Sequence, residues 1–179
     1  RCRGPPRFSL FPSPPFFRSF FVSSAGDVNG DGFDDLFVGA DRNDEGGFDA
    51  GAAYVVYGAA SGITSVNLDD IAAGIGGFKI IGEAAGDRVG ISVSSAGDVN
   101  GDGFVDLIIG AFTNDEAGDQ AGAAYVVFGA ASIASVDLDD IAAGIGGFKI
   151  IGEAAGDHAG RSVSSAGDVN GDGFDDLIV

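Results

Sequence analysis

The sequence predicts an all-β fold made of repeated four-stranded antiparallel units, and three observations support this prediction. The segment Asp-Val-Asn-Gly-Asp-Gly-Phe-x-Asp occurs three times in 179 residues, at Asp27–Asp35, Asp98–Asp106 and Asp168–Asp176. The copies start 71 and then 70 residues apart, which is a spacing typical of arrays of supersecondary units. Between the copies, short runs of apolar and β-branched residues alternate with glycine-containing turns, as expected for short strands.

The central unit shows the expected strands in order. The first strand precedes the repeated loop with small and β-branched residues, the second follows it with Leu-Ile-Ile, and turn residues separate the third and fourth. The four strands are expected at Val93–Ala96, Leu107–Ala111, Ala123–Gly129 and Phe148–Gly152. Four antiparallel strands form one blade of a β-propeller.

A short helical turn is expected on the connection between the third and fourth strands. The run Leu138–Ala143 is closed by Gly144, and glycine commonly follows the last turn of a helix. A plain loop is the alternative for this segment.

The repeated loop has the composition of a calcium site. Oxygen-bearing side chains occupy loop positions 1, 3, 5 and 9, position 7 can add a backbone carbonyl, and glycines at positions 4 and 6 allow a sharp turn. We expect one Ca²⁺ per loop and up to three in all. The expected ligands are Asp27, Asn29, Asp31, Phe33 and Asp35; Asp98, Asn100, Asp102, Phe104 and Asp106; and Asp168, Asn170, Asp172, Phe174 and Asp176.

Two other interpretations of the loop are weaker. An EF-hand requires a bidentate Glu at position 12 and flanking helices, whereas this loop has Val38, Ile109 or Val179 there and flanking strands. A metal-free surface turn is possible for an isolated Asp-Gly pair. It is a poor account of three loops with the same pattern of oxygen-bearing residues, because each would concentrate mutually repelling carboxylates without an ion.

The central unit also carries a family resemblance. Gly90–Ala111 has the sequence Gly-Ile-Ser-Val-Ser-Ser-Ala-Gly-Asp-Val-Asn-Gly-Asp-Gly-Phe-Val-Asp-Leu-Ile-Ile-Gly-Ala, and Gly122–Gly129 has Gly-Ala-Ala-Tyr-Val-Val-Phe-Gly. Together they closely resemble the FG-GAP repeat, which builds the β-propeller of integrin α subunits and of many bacterial extracellular proteins. The resemblance extends from Val22 to Val179. Departures from the family pattern are Val89 or Ala159 at the Phe of Phe-Gly, and Asp41 or Phe112 at the Pro of Gly-Ala-Pro.

The resemblance implies a partial β-propeller of about two and a half blades with calcium-binding hairpin loops. The blades are expected at 22–91, 92–161 and, truncated, 162–179, after an irregular arm over 1–21 that is rich in Pro, Phe and Arg. Because the family propeller has seven blades, the chain is interpreted as a fragment. Open strand edges and uncovered apolar surface should then make it self-associate.

Composition limits the partners. The net charge of −18 and the pI near 4.1 argue against nucleic acid and anionic membrane surfaces. No apolar run approaches the roughly 20 residues of a membrane-spanning helix, so membrane insertion is not expected. With Cys2 as the one cysteine, no intrachain disulfide can form. Loops that lack the bidentate Glu should bind calcium weakly, which suits an extracellular or cell-surface location.

Catalysis is not expected. The single histidine, His158, is replaced by Arg88 one repeat earlier, and Cys2 has no histidine near it in sequence. We therefore predict a calcium-stabilised extracellular module for binding or adhesion, with an unknown protein or glycan ligand. Two alternatives remain. One is an accessory propeller domain of a larger secreted enzyme of the polysaccharide lyase or phospholipase type, and the other is a purely structural repeat of a surface protein.

The resemblance to integrin propellers also implies a ligand surface opposite the calcium loops, on the connections between the second and third strands and between consecutive blades. A solvated surface without a ligand is the alternative, because exposed connections are usually polar. The residues of the implied surface are Arg42, Asn43, Asp44, Glu45, Asp87, Arg88, Asn114, Asp115, Glu116, Asp119, Gln120, Asp157 and His158.

Overall fold

The computed structural model describes residues 20–179, and its first unit is a four-stranded antiparallel sheet. Neighbouring strands in this sheet are also consecutive in sequence. The strands are β1 Phe20–Gly26, β2 Asp35–Ala40, β3 Ala52–Val56 and β4 Gly77–Ile81. β1 therefore begins two residues before the expected start of the first blade, and residues 1–19 of the expected arm lie outside the described residues.

The second unit repeats this arrangement, and two further strands follow it. The strands of the second sheet are β5 Val93–Gly97, β6 Asp106–Ala111, β7 Ala123–Val127 and β9 Gly147–Ile151, paired antiparallel in that order. β10 Ser164–Gly167 and β11 Asp176–Ile178 form an antiparallel pair. The prediction of an all-β fold made of four-stranded antiparallel blades, the last one partial, is confirmed.

Two five-residue helices lie on the connections before the fourth strand of each sheet. They are α1 Leu68–Ala72 and α2 Leu138–Ala142, so the expected helical turn is confirmed. The side chains of Asn67 and Asp137 cap them by accepting backbone N–H groups at 3.1 Å. Neither helix has the length or the apolar composition to cross a membrane, and the described chain contains no other α-helix.

The second unit reaches back to the first through a strand that the sequence analysis did not predict. β8 Val136–Asp137 pairs in parallel with β4, with Val136 opposite Ile80 and Asp137 opposite Ile81. The first sheet therefore has five strands, the fifth of which belongs to the next unit. This pairing covers the C-terminal end of the outer edge of β4.

The main core lies between the first and second sheets. Phe37, Val55, Phe78 and Ile80 of the first sheet are fully buried together with Leu107, Ile109 and Tyr125 of the second. These side chains alternate along their strands, because successive residues of a strand point to opposite faces. The other face of the second sheet packs against Val163 and Leu177 of the third unit.

Candidate functional site

The first loop, between β1 and β2, draws its polar side chains toward its own backbone. The N–H of Asp31 donates to Asp27 Oδ1 and to Asn29 Oδ1, both at 3.0 Å, so these two oxygens lie on the same side of the loop. Gly30 and Gly32 make this turn possible with φ angles of 74° and 89°, which side chains other than glycine rarely adopt.

The second and third loops repeat this arrangement. Asp98 Oδ2 accepts the N–H of Gly103 at 2.9 Å, and Asp168 Oδ2 accepts that of Gly173 at 2.9 Å. The hydrogen bond from Gly173 helps to hold the pKa of Asp168 below its usual value, since it stabilises the charged form. The same glycine positions have positive φ angles in all three loops, so the repeated sequence specifies a repeated conformation.

The aspartate at loop position 9 anchors each hairpin to its sheet. Asp35 is buried, and its two oxygens accept the N–H of Val28 at 3.1 Å and that of Gly58 at 2.8 Å. Asp106 does the same with Val99 and Gly129, each at 2.9 Å. Burial raises the pKa of both carboxyl groups against the opposing effect of these hydrogen bonds.

The third anchor is less enclosed. Asp176 is half-buried, and its Oδ2 accepts the N–H of Val169 at 2.8 Å. Position 9 therefore has a structural role in each loop, whether or not it also holds an ion.

The donor set suits a hard cation. Every candidate ligand offers oxygen, which is what Ca²⁺ prefers, and a carboxylate oxygen that accepts one hydrogen bond retains a second lone pair. Within residues 20–179, no three acidic, histidine or cysteine side chains already form a group able to hold a metal. The side chains at positions 1, 3 and 5 instead accept the loop's own N–H groups. The oxygen donors of the loop residues are of the chemical type that Ca²⁺ prefers.

A cleft of about 480 Å³ opens at the other end of the sheets, between the connections of the first and second units. Two phenylalanines contribute to its lining: Phe48 is 77% exposed, and Phe112 is half-buried. The polar lining includes Arg88, Asp119 and Gln120. The cleft thus combines accessible aromatic surface with charged and amide groups.

A second cleft, of about 550 Å³, has a lysine in its wall. The side chain of Lys149 is 5% exposed; it donates to Glu83 of the first unit at 2.7 Å and forms an ion pair with Glu116. Tyr125 donates its hydroxyl to Glu83, and Lys149 Nζ lies 5.2 Å from the centre of the Tyr125 ring. Glu83 therefore connects two strands of the next unit.

Eight of the 13 residues of the implied ligand surface fall into two groups in the structure. Several of its residues are occupied within the fold: Asn114 donates to buried Asp87 at 2.8 Å, Glu116 pairs with Lys149, and Glu45 pairs with Lys79. The other group lines the 480 Å³ cleft. Its members are Arg88, Asp115, Asp119 and Gln120.

The remaining members of the implied surface make local contacts or are exposed. Asn43 accepts from Lys79, Asp44 accepts the N–H of Asp49, and Asp157 accepts the N–H of Ala154. The ring centre of His158 lies 5.9 Å from that of Phe112, so the imidazole packs against this phenylalanine. Arg42 is exposed.

The sequence analysis missed Lys149, Glu83, Tyr125 and Phe48. A signal existed for Lys149 and Tyr125, because a Lys and a Tyr occur inside apolar strands in both of the first two units, at Lys79 and Tyr54 in the first. A charged residue in such a strand predicts a buried ion pair. Phe48 had no such signal, since its counterpart one repeat later is Asp119.

Comparison with known proteins agrees with this architecture. The FG-GAP repeat family matches residues 21–56, 89–127 and 159–179. The chain is also 36% identical over 129 residues to phosphatidylinositol-glycan-specific phospholipase D of Bos taurus, and 36% identical over 108 residues to that of Mus musculus. These matches span 69% and 59% of this chain but 15% and 12% of the relatives. With three matched repeats covering more than half of its residues, the chain belongs to the FG-GAP repeat family.

Proposed function

We propose that the chain is a calcium-stabilised binding module of an extracellular protein. The observation that carries this proposal is the threefold occurrence of one oxygen-rich loop with the same glycine conformation and the same internal hydrogen bonds. A surface turn without a ligand does not require Asp or Asn at four positions in every copy. Oxygen donors at this spacing are what a Ca²⁺ loop requires.

Calcium would serve as a structural cross-link within each hairpin. In the second loop, Asp98, Asn100, Asp102 and Asp106 would supply side-chain oxygens and Phe104 a carbonyl. Eleven of the 27 acidic residues lie in the three loops, so bound cations would offset much of their mutual repulsion. Binding would therefore stabilise the folded chain.

Titration calorimetry tests the metal proposal directly. The folded chain should take up Ca²⁺ at millimolar concentration or below, and Asp102→Ala should remove one of the ions, because position 5 is a carboxylate ligand. Asp34→Ala is the matched control: it removes a carboxylate from a loop position outside the ligand set and should leave the number of ions unchanged. No uptake by the folded wild-type chain would contradict the proposal.

Thermal unfolding tests the structural role. The melting temperature should fall in chelator relative to millimolar calcium, because an ion that binds only the folded loops shifts the equilibrium toward them. Coincident melting curves would show that calcium does not stabilise the fold.

The proposed ligand surface is the 480 Å³ cleft at the opposite end. Phe48 offers an exposed ring, and Arg88, Asp119 and Gln120 offer hydrogen-bonding groups around it. An aromatic face with neighbouring polar groups suits a glycan or a polar segment of a protein. A panel of immobilised glycans and extracellular matrix proteins should reveal binding that Phe48→Ala weakens about tenfold or more, whereas Ile63→Ala, an exposed apolar residue outside this cleft, should have no effect. Equal weakening by both variants would contradict this surface.

A second candidate function is an accessory propeller domain of a larger phospholipase-type protein. The similarity to two phosphatidylinositol-glycan-specific phospholipases D favours it. Sequencing the complete reading frame tests this candidate: it predicts a separate domain that carries a catalytic constellation. A complete frame composed of FG-GAP repeats alone would contradict it.

A further inference from the structure

Neighbouring loops touch through an aromatic ring. Phe104, at position 7 of the second loop, packs against Gly30, at position 4 of the first: a Cβ on Gly30 would lie 2.7 Å from Phe104 Cε1. Phe174 of the third loop packs in the same way against Gly101 of the second. Gly30 and Gly101 have φ angles of 74° and 76°. The ring of one loop therefore rests on a left-handed glycine of the loop before it.

A path of hydrogen bonds also connects the anchors of the first two loops. The N–H of Val28 donates to Asp35 Oδ2, and the carbonyl of Val28 accepts the N–H of Ala130 at 3.2 Å. The adjacent Gly129 donates its N–H to Asp106 Oδ1 at 2.9 Å. The Asp106 carboxylate is therefore linked through Gly129 and Ala130 to the backbone of the first loop.

We propose that the loops bind Ca²⁺ cooperatively, and that the phenylalanine at position 7 of the second and of the third loop is the positioning residue for the ion in the loop before it. This proposal depends on the proposed function, because it assumes that the loops take up calcium. It adds a direct energetic connection between sites that the sequence presents as independent repeats.

The physical reason is that the two loops share the conformational entropy cost of being ordered by calcium. The carbonyl of Phe104 belongs to the candidate ligand set of the second loop, so an ion there fixes the backbone that carries the Phe104 ring. The fixed ring holds Gly30 in its left-handed turn. An ion entering the first loop then has less chain to order, which raises its affinity. Because linkage is reciprocal, an ion in the first loop raises the affinity of the second by the same factor.

Amide chemical shifts during a calcium titration test the coupling loop by loop in the full chain. Gly30 and Gly32 report on the first loop, and Gly101 and Gly103 on the second. Asp102→Ala, which removes a ligand from the second loop, should weaken calcium binding at the first loop about fivefold or more, the lower end of typical coupling between sites. Phe104→Ala keeps the carbonyl at position 7 and should weaken the first loop by a similar factor.

Three further variants separate coupling between the two calcium sites from a general loss of loop structure. Phe104→Tyr keeps a ring at the contact and should restore the affinity of the first loop. The double variant Asp102→Ala with Phe104→Ala should be no weaker at the first loop than either single variant. Phe33→Ala is the matched control: Phe33 holds the same loop position, but the ring that lies against Gly101 of the second loop is that of Phe174, so the loss of Phe33 should leave the affinity of the second loop unchanged.

The outcomes distinguish the two proposals. If the first loop binds calcium equally well in the wild type, Asp102→Ala and Phe104→Ala, the coupling is overturned and calcium binding stands. If no loop glycine shifts with calcium in the folded wild type, the proposed function is overturned and the coupling with it. A weakened first loop in both single variants, with rescue by Phe104→Tyr, supports the coupling.

Discussion

The two junctions between neighbouring units bury the same sequence to different extents. Gly-Phe-Lys-Ile-Ile forms β4 in the first unit and β9 in the second. At the first junction Phe78 and Ile80 are fully buried, whereas their counterparts Phe148 and Ile150 at the second junction are half-buried. The second unit presents four strands to the first, and the third unit presents two to the second. Burial in this repeat is thus set by the neighbouring unit as much as by the strand itself.

The loops differ between the junctions at one position. Val105, at position 8 of the second loop, packs on Gly26 beside the first loop. Its counterpart Asp175 accepts the N–H of Asp98 at 2.8 Å and donates its own N–H to the Asp98 carbonyl at 3.1 Å. The first junction is therefore apolar at this point and the second is hydrogen-bonded. The second junction, to which the third unit contributes two strands, is thus the one at which this loop position makes hydrogen bonds.

The largest difference between the junctions should appear when an equivalent ring is removed from each. Phe78→Ala should lower the free energy of unfolding by about 3–5 kcal/mol, the usual cost of truncating a fully buried phenylalanine. Phe148→Ala should cost clearly less, because its ring already contacts water. Chemical denaturation of both variants measures this difference. Equal losses would mean that the second junction is as tightly packed as the first.

A smaller effect is expected from the ion pair that crosses the first junction. Glu83→Gln should lower the free energy of unfolding by about 1–3 kcal/mol, because buried Lys149 and Tyr125 lose a charged hydrogen-bonding partner. Glu153→Gln is the matched control, since Glu153 holds the same repeat position, is exposed and makes no ion pair within residues 20–179. Its change should stay within about 0.5 kcal/mol. A comparable loss in both variants would contradict a role specific to the junction.

The smallest effect should be the change with pH in the contribution of this ion pair to the free energy of unfolding. Burial alone would lower the pKa of Lys149, but its hydrogen bonds to Glu116 and Glu83 raise it above the ordinary value. The folded state therefore holds this proton more tightly than the unfolded state. The stabilisation is fully present below the unfolded pKa of about 10.4 and is lost as pH rises through the folded pKa.

Comparison with Lys149→Met isolates this pH effect. The difference in free energy of unfolding between the wild type and the variant should shrink above about pH 10.4. Denaturation at a series of alkaline pH values measures it. If the difference in free energy of unfolding between the two proteins stays constant over this range, the proton on Lys149 does not contribute to stability.

The strands and helices could be predicted largely because each unit carries its own local signals. Apolar runs, turn glycines and the repeated loop predicted the four strands of a unit, and Gly144 correctly predicted the end of a helical turn. Contacts between units were harder to predict. β8 and the contacts of Glu83 depend on which residues meet across a junction, and the spacing within one unit does not contain that information. Calcium binding, self-association and an extracellular location remain predictions.

The pairing of β8 with β4 has a consequence for synthesis on the ribosome. The outer edge of β4 ends at Ile80 and Ile81, and the residues that pair with this end are Val136 and Asp137. A nascent chain must therefore grow by about 55 residues after β4 before that edge can be paired, which takes roughly 3–11 s at 5–20 residues per second. During this interval the unpaired N–H and C=O groups of β4 are open to strands of neighbouring nascent chains. Wrong strand pairing between neighbouring nascent chains on one polysome is therefore favoured during this interval, and the arrival of β8 ends it for the end of β4 that β8 pairs with.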